Sequence, residues 1–466
     1  MALACAALGA ASASAAFDAP PLRVSADGFV NGAGAQLSSV AVNGRGDAVV
    51  FWQHAQRKPR RRTTMLARRF DAPTGTWSDI EPLSAPSRAK IKQDPAVALD
   101  DAANAFAVWP NTLDSTDEAL TMAQLKARRF DAASGAWEPA VRLSVRHGVA
   151  VYPTVAVDGR GNALVVWYQY LPDGPEDVRH HDNAFVAMYA RRFDAGTGRW
   201  DGEPIQLSER RVNRTGPFAG SPRVRFDARG DATVLWAEAV EERRHVIHSR
   251  RYDAQSRTWT PAITLSDGGN SAFSADLATA ASGDTTAVWV ESLAGRGDVV
   301  RSKRYDAQTG QWDAVASDLT GAVPTARFAR VAVDGTGNAT AVWSQFGSER
   351  RSKVGIARYD AAAGRWTPAP VSLSAESIRT IRPQVAADDE GNVVATWSGF
   401  AADGTERVQA TRFDAATEHW LAAPAVMSPE RSTSSQVALG AGGDGYITWF
   451  EYNARKGRVL VAGALP

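Results

Sequence analysis

The sequence predicts an all-β fold: a single eight-bladed β-propeller of four-stranded antiparallel blades, closed by an N-terminal strand that pairs with the C-terminal three strands. Three observations predict it. All fifteen tryptophans fall on two positions of one repeating unit. One of these positions sits in an apolar run too continuous for a sheet with a wet face. The last copy of the unit stops short, and the N-terminus carries the missing piece.

Residues 153–208 show the unit most clearly. Val155 to Val157 and Ala163 to Trp167 are short β-branched runs joined by Gly159 and Gly161, which is a strand–turn–strand signal. Met188 to Phe193 and Ile205 to Leu207 are two further runs, joined by a tight turn containing Gly198. These are strands a, b, c and d. The strand-b tryptophans are Trp52, Trp109, Trp167, Trp236, Trp289, Trp343, Trp397 and Trp449, separated by 57, 58, 69, 53, 54, 54 and 52 residues. The strand-d tryptophans are Trp77, Trp137, Trp200, Trp259, Trp312, Trp366 and Trp420. Self-similarity at this period signals a propeller or solenoid, whose single units cannot bury their own faces.

Strand b is apolar at consecutive positions, as in Leu164-Val165-Val166-Trp167. A sheet with one wet face would alternate, so both faces of strand b must be covered. Neighbouring blades supply that cover. The last copy has runs at 436–439, 446–449 and 458–462 and then ends without strand d. The segment Pro20-Pro21-Leu22-Arg23-Val24-Ser25 reads like Glu138-Pro139-Ala140-Val141-Arg142-Leu143-Ser144. It is expected to complete the last blade and remove the exposed edges.

With 466 residues, 44% apolar content and a net charge of +1, the chain can bury a large core. No bulk charge recruits it to nucleic acid or membrane. Residues 1–16 are small and apolar, with an Ala-Ser-Ala-Ser-Ala-Ala run that reads as the remnant of a signal peptide. Residues 17–466 form the propeller. The expected location is secreted, periplasmic or at the cell surface. Cys5, the only cysteine, lies in the leader, so the mature chain is expected to use neither disulfides nor thiol chemistry. No other apolar run approaches the length of a membrane helix.

The c–d turn, Phe193-Asp194-Ala195-Gly196-Thr197-Gly198-Arg199-Trp200, resembles the Tyr-Asp-Pro-x-Thr-Asn-x-Trp segment of kelch repeats. With one extra residue, it also resembles the Asp-box of sialidase-type propellers. The chain departs from kelch at the end of strand b, where Gly-Gly is replaced by Trp and polar residues. The resemblance implies that strand a lines a central channel and strand d lies outermost. Small residues Ala41, Ala98, Ala156, Ala332 and Ala386 suit a crowded axis. Sialidase-like catalysis implies in addition an arginine triad at the channel and a Tyr–Glu pair; only Arg382 is found in the ring at the start of strand a.

Residues that recur in every blade are read as scaffold. The turn aspartates accept turn N–H groups. The arginine before the c-strand aromatic (Arg69, Arg129, Arg192, Arg251, Arg304, Arg358, Arg412) pairs neighbouring strands or blades. The Asp-Gly-Arg-Gly-Asn turn at 158–162 lacks the ladder of a Ca²⁺ loop and is read as a hairpin. His180 and His181 point apart and make no metal site. No cofactor and no metal are expected.

Residues that differ between blades carry more information. One ring, just before strand a, comprises Leu37, Asp94, Tyr152, Ser221, Ser274, Phe328, Arg382 and Ser434. A second, two residues beyond the strand-b tryptophan, comprises His54, Asn111, Gln169, Glu238, Glu291, Gln345, Gly399 and Glu451. Mixed aromatic, anionic and cationic groups converging on a cavity suit a polar ligand. The leading expectation is a non-catalytic, monomeric scaffold that binds a glycan or protein on its b–c and d–a loop face. Its candidate residues are Tyr152, Tyr168, Tyr170, Phe328, Arg382 and Asp94. The alternative is a sialidase-like glycoside hydrolase or lyase with Glu238 and Glu291 as acid and base. A retaining glycosidase needs carboxyls about 5 Å apart and an inverting one about 6.5–9.5 Å.

Overall fold

The computed structural model describes residues 21–25, 34–56, 62–87, 95–112, 123–145, 148–171, 185–209, 211–212, 221–241, 244–321, 325–347, 351–367, 371–374, 379–400, 404–421, 423–429, 431–453 and 457–465. Every regular element among them is a β-strand. No helix there is long and apolar enough to cross a membrane. The segment 1–16, Asp94, His180 and His181 lie outside the described residues.

In the third unit, strand a is Val149–Val157, strand b Ala163–Leu171 and strand c Phe185–Asp194, with Arg199–Trp200 and Ile205–Gln206 forming the outer edge. Neighbours within the unit pair antiparallel. The strand-b tryptophans are buried in every unit, because apolar layers lie on both sides of each sheet. One such layer joins Phe106, Val108 and Leu143 of the second unit to Val165, Trp167 and Phe193 of the third. Another joins Val24, Ala48, Val50 and Trp52 to Tyr446 and Phe450, which brings the two ends of the chain together. Leu22 and Arg23 pair with Ala462 and Val461, and one sheet contains both Ser432–Leu439 and Gly34–Val42.

In the first four units the recurring arginine follows another (Arg68-Arg69, Arg128-Arg129, Arg191-Arg192, Arg250-Arg251); the next three units keep only the second, as Arg304, Arg358 and Arg412. The first of each pair reaches back: Arg128, Arg191 and Arg250 donate to the carbonyls of Leu83, Arg142 and Leu207 on the preceding unit. Arg68 donates in the same way to Arg23. The second reaches forward onto an aromatic ring. Arg69 stacks over Phe130, Arg129 over Phe193, Arg192 over Tyr252, Arg251 over Tyr305, Arg304 over Tyr359 and Arg358 over Phe413, at 3.6–6.0 Å from the centroid. Sequence reasoning expected carboxylates or carbonyls. Several of these arginines do pair with acids of their own unit, as Arg69 does with Glu81 at 3.0 Å, but the contact between units is cation–π, about 0.5–1 kcal/mol where exposed.

The turn chemistry ties one face together. Asp158 accepts the N–H groups of Arg160 and Asn162, which makes the 158–162 segment a capped hairpin. Asn162 Oδ1 then accepts the amide of Ala195 in the c–d turn at 3.0 Å. The same bond recurs at Asn104–Ala132, Asp231–Ala254, Asp284–Ala307, Asn338–Ala361 and Asn392–Ala415. An alanine follows the turn aspartate because its Cβ lies against the left-handed glycine of the facing turn, as Ala195 does against Gly161 (φ +81°).

Candidate functional site

Tyr152 does not precede strand a, as expected, but sits inside it. Pairing slips by one residue between Val151/Tyr168 and Thr154/Val166, so Tyr152 and Pro153 together face Trp167. The same bulge recurs at Ser274, Phe328, Arg382 and Ser434. All five residues are left-handed, with φ between 52° and 59°. This conformation costs a non-glycine residue about 1–2 kcal/mol, and bulges of this kind re-aim side chains next to active sites. Five positions of the ring read from sequence are therefore bulges near one end of the first strand of their units. Within it Arg382 is exposed, and Tyr152 and Phe328 are half-buried. Tyr170 lies within electrostatic reach of Tyr152; burial, then Tyr152, push its hydroxyl well above the usual tyrosine range.

Tyr168 belongs elsewhere. Its side chain is buried between the third and fourth units and its hydroxyl donates to the Ala237 carbonyl at 2.7 Å. Strand b is covered on both faces, so its alternate residues enter the core instead of the rim.

Four residues of the second ring serve the tryptophans of their units. Trp236 Nε1 donates to Glu238 Oε2 at 3.1 Å, Trp289 to Glu291 Oε2 at 2.9 Å, Trp167 to Gln169 at 3.1 Å and Trp449 to Glu451 at 3.1 Å. Where Gly399 leaves the position empty, Gln409 from strand c accepts the Trp397 indole instead. Glu291 is fully buried, with Asn270 on its other oxygen. Glu238 is flanked by His248 at 3.8 Å. These bonds satisfy an indole N–H buried in a two-sided sheet; the indole N–H groups of Trp52, Trp109 and Trp343 have no hydrogen-bond partner among the described residues. Gln169 already performs this role, so Glu291→Gln is expected to change stability by less than about 1 kcal/mol. Glu291→Leu leaves the Trp289 N–H unsatisfied and is expected to cost about 1–3 kcal/mol. Urea titration of the two variants checks this; equal losses would refute the bond's importance.

One register deeper than the bulges, the strand-a residues of successive units are Ser39, Ala96, Thr154, Arg223, Asp276, Arg330, Gln384 and Gln436. Sequence reasoning stopped at the bulge ring and missed this one. Arg223 Nε donates to Asp276 Oδ1 at 2.7 Å, and the Val331 amide donates to Oδ2 at 3.1 Å. Burial alone would raise the Asp276 carboxyl, but Arg223, Arg330 and Arg225 together hold it below the usual range. Arg225 lies one register deeper still, where the other units carry Ala41, Ala98, Ala156, Ala278, Ala332, Ala386 and Ala438. It keeps solvent contact while protein encloses it; the enclosure lowers its guanidinium, which Asp276 offsets only in part. Three guanidinia around one carboxylate leave a net positive cluster on the first strands of the fourth, fifth and sixth units. Such a cluster binds carboxylates and sulfates in bidentate fashion. An arginine where every other copy has alanine was the signal available in the sequence.

No family model and no curated protein matches the chain. Solved structures do. The polysaccharide lyase Uly1 superposes with a TM-score of 0.51 at 10% identity, covering 97% of this chain and 94% of its own. An ulvan lyase gives 0.49 at 10% identity over 95% and 97%. The NanB sialidase of Streptococcus pneumoniae gives 0.41 at 7% identity over 94% of each. The chain thus has an all-β fold of the propeller type, like that of Uly1. The expected non-catalytic scaffold is corrected here: Uly1, on which the chain superposes, is a polysaccharide lyase, and the glycan-cleaving alternative fits it better.

Proposed function

We propose that this protein is an extracytoplasmic enzyme that cleaves an acidic glycan at the mouth of the central channel of an eight-bladed ring. The ring reading is supported by the layer shared between Val24, Trp52 and Tyr446, by the pairing of Leu22 with Ala462, and by Arg68 treating Arg23 as Arg191 treats Arg142. The observation that carries the function is the Arg223–Asp276–Arg330 cluster with Arg225 beneath it. Its net positive charge calls for an anionic group, and a chain of sugars bearing carboxylate or sulfate supplies one. The propeller-type likeness to Uly1, a polysaccharide lyase, agrees with a polysaccharide substrate.

A sugar carboxylate paired with Arg223 and Arg330 has its charge offset, which would fix an acidic residue of the glycan at the channel mouth. Tyr152, Phe328 and Arg382 at the bulges shape the mouth. The Tyr170 phenol, kept protonated by burial and by Tyr152, can donate a hydrogen bond to a bound sugar oxygen.

Incubation with uronate-containing, sulfated and sialylated polysaccharides tests this reading. Elimination creates an unsaturated uronate that absorbs in the ultraviolet; hydrolysis creates reducing ends without it. Turnover of neutral glycans alone, or of none, would overturn the assignment.

A further inference from the structure

We propose a second ligand site on the turn face, at the end of the molecule opposite the bulge ring, for a small anion-bearing sugar. It lies in a cavity of about 640 Å³ among the turns of the third, fourth and fifth units, within the range of small-molecule sites. The corresponding cavity of the first unit is about 180 Å³ and is lined by Arg69, Phe70 and Trp77. The larger one has Tyr252 and Tyr305 in its wall and gains Arg160 and Arg229.

These two arginines are not demanded by the fold. They occupy the third position of the a–b turn, where other units carry Ala102, Ser282, Thr336, Glu390 and Gly442. Arg45, at that position in the first unit, is held by Asp47 at 2.8 Å. Arg160 has no side-chain partner among the described residues. Arg229 is about half exposed, and its contacts with Asp227 and Asp231 are longer, at 3.3 and 3.7 Å. The acids nearby are already engaged: Asp231 accepts the Ala254 amide at 2.8 Å and Asp253 the Ser256 amide at 2.6 Å. Arg251 is committed to Thr233 and to the face of Tyr305. Arg160 and the open edge of Arg229 therefore remain to hold an oxyanion, while tyrosines and Thr260 border the space for a polyhydroxylated body.

The test is calorimetric titration at low salt with inorganic sulfate, glucuronate and neutral galactose. It uses the wild-type chain and the Arg160→Ala/Arg229→Ala variant, each also in an Arg223→Ala/Arg330→Ala background that silences the channel. Sulfate or glucuronate is expected to saturate one turn-face site that survives the channel substitutions and weakens at least tenfold on loss of Arg160 and Arg229. Sulfate alone would identify a sulfate ester, glucuronate alone a uronate; either supports the site. Galactose binding as tightly as the anions, no saturable binding, or binding indifferent to Arg160 and Arg229 would overturn it. The channel cluster is elsewhere, so failure here leaves the proposed activity untouched. Both arginines are exposed, and far-ultraviolet dichroism confirms that the variants fold.

Discussion

Removal of residues 17–26 is expected to cost far more stability than trimming a tail, because it empties an internal layer. Val24 is fully buried against Ala48, Val50, Trp52, Tyr446 and Phe450. Leu22 and Arg23 cover the backbone of Gly457–Leu465, and their loss bares an unpaired edge that other chains can extend. A milder version isolates the packing. Val24→Asp places a charge in that apolar layer and is expected to lower unfolding free energy by about 4 kcal/mol or more. Val24→Ala, which only shrinks the side chain, should lose about 1–3 kcal/mol. Urea or guanidinium midpoints measure all three, and the deletion should also increase aggregation. An unchanged midpoint after deletion would defeat the closed ring and every position inferred from it.

Substitution of Arg330 or Arg223 by alanine is expected to lower kcat/KM on an acidic glycan by about 10²–10³-fold, the usual cost of losing one preorganised charge-stabilising donor. Arg225→Ala is the cleaner test. Seven other units carry alanine at that register, so the fold should accept it while activity falls. Full activity in all three variants would remove the channel cluster from the mechanism. The same arginines set a pH dependence. Burial opposes the Asp276 charge, and Arg223, Arg330 and Arg225 prevail, leaving a carboxyl depressed below its unfolded value. Such a group adds stability above its unfolded pKa, near 4. That stability is lost as pH falls through the lower folded value. Removal of Arg330 should bring acid unfolding to a higher pH than in the wild type.

Much was legible from residues alone. Tryptophan spacing marked the unit, continuous apolar runs required cover on both faces, and Asp-containing turns marked the c–d corners. Each of these depends on local pattern or on a repeat long enough to average out noise. The positions of individual side chains were not legible. The bulge at Tyr152, Phe328 and Arg382 is a pairing slip between two strands, and a slip of one residue re-aims whatever sits there. Glu238 and Glu291 looked like free acids until the indole N–H groups two residues earlier were seen to reach them. Tyr168 looked like a rim aromatic until the neighbouring sheet covered it.

The amino-acid sequence by itself determined that these strands form stacked, two-sided sheets, since apolar period and turn chemistry act within about one unit's length. Tertiary structure decided which residues meet. Arg223, Asp276 and Arg330 lie more than fifty residues apart along the chain. Only the side-by-side placement of the first strands of neighbouring units brings them to one carboxylate, held by three guanidinia.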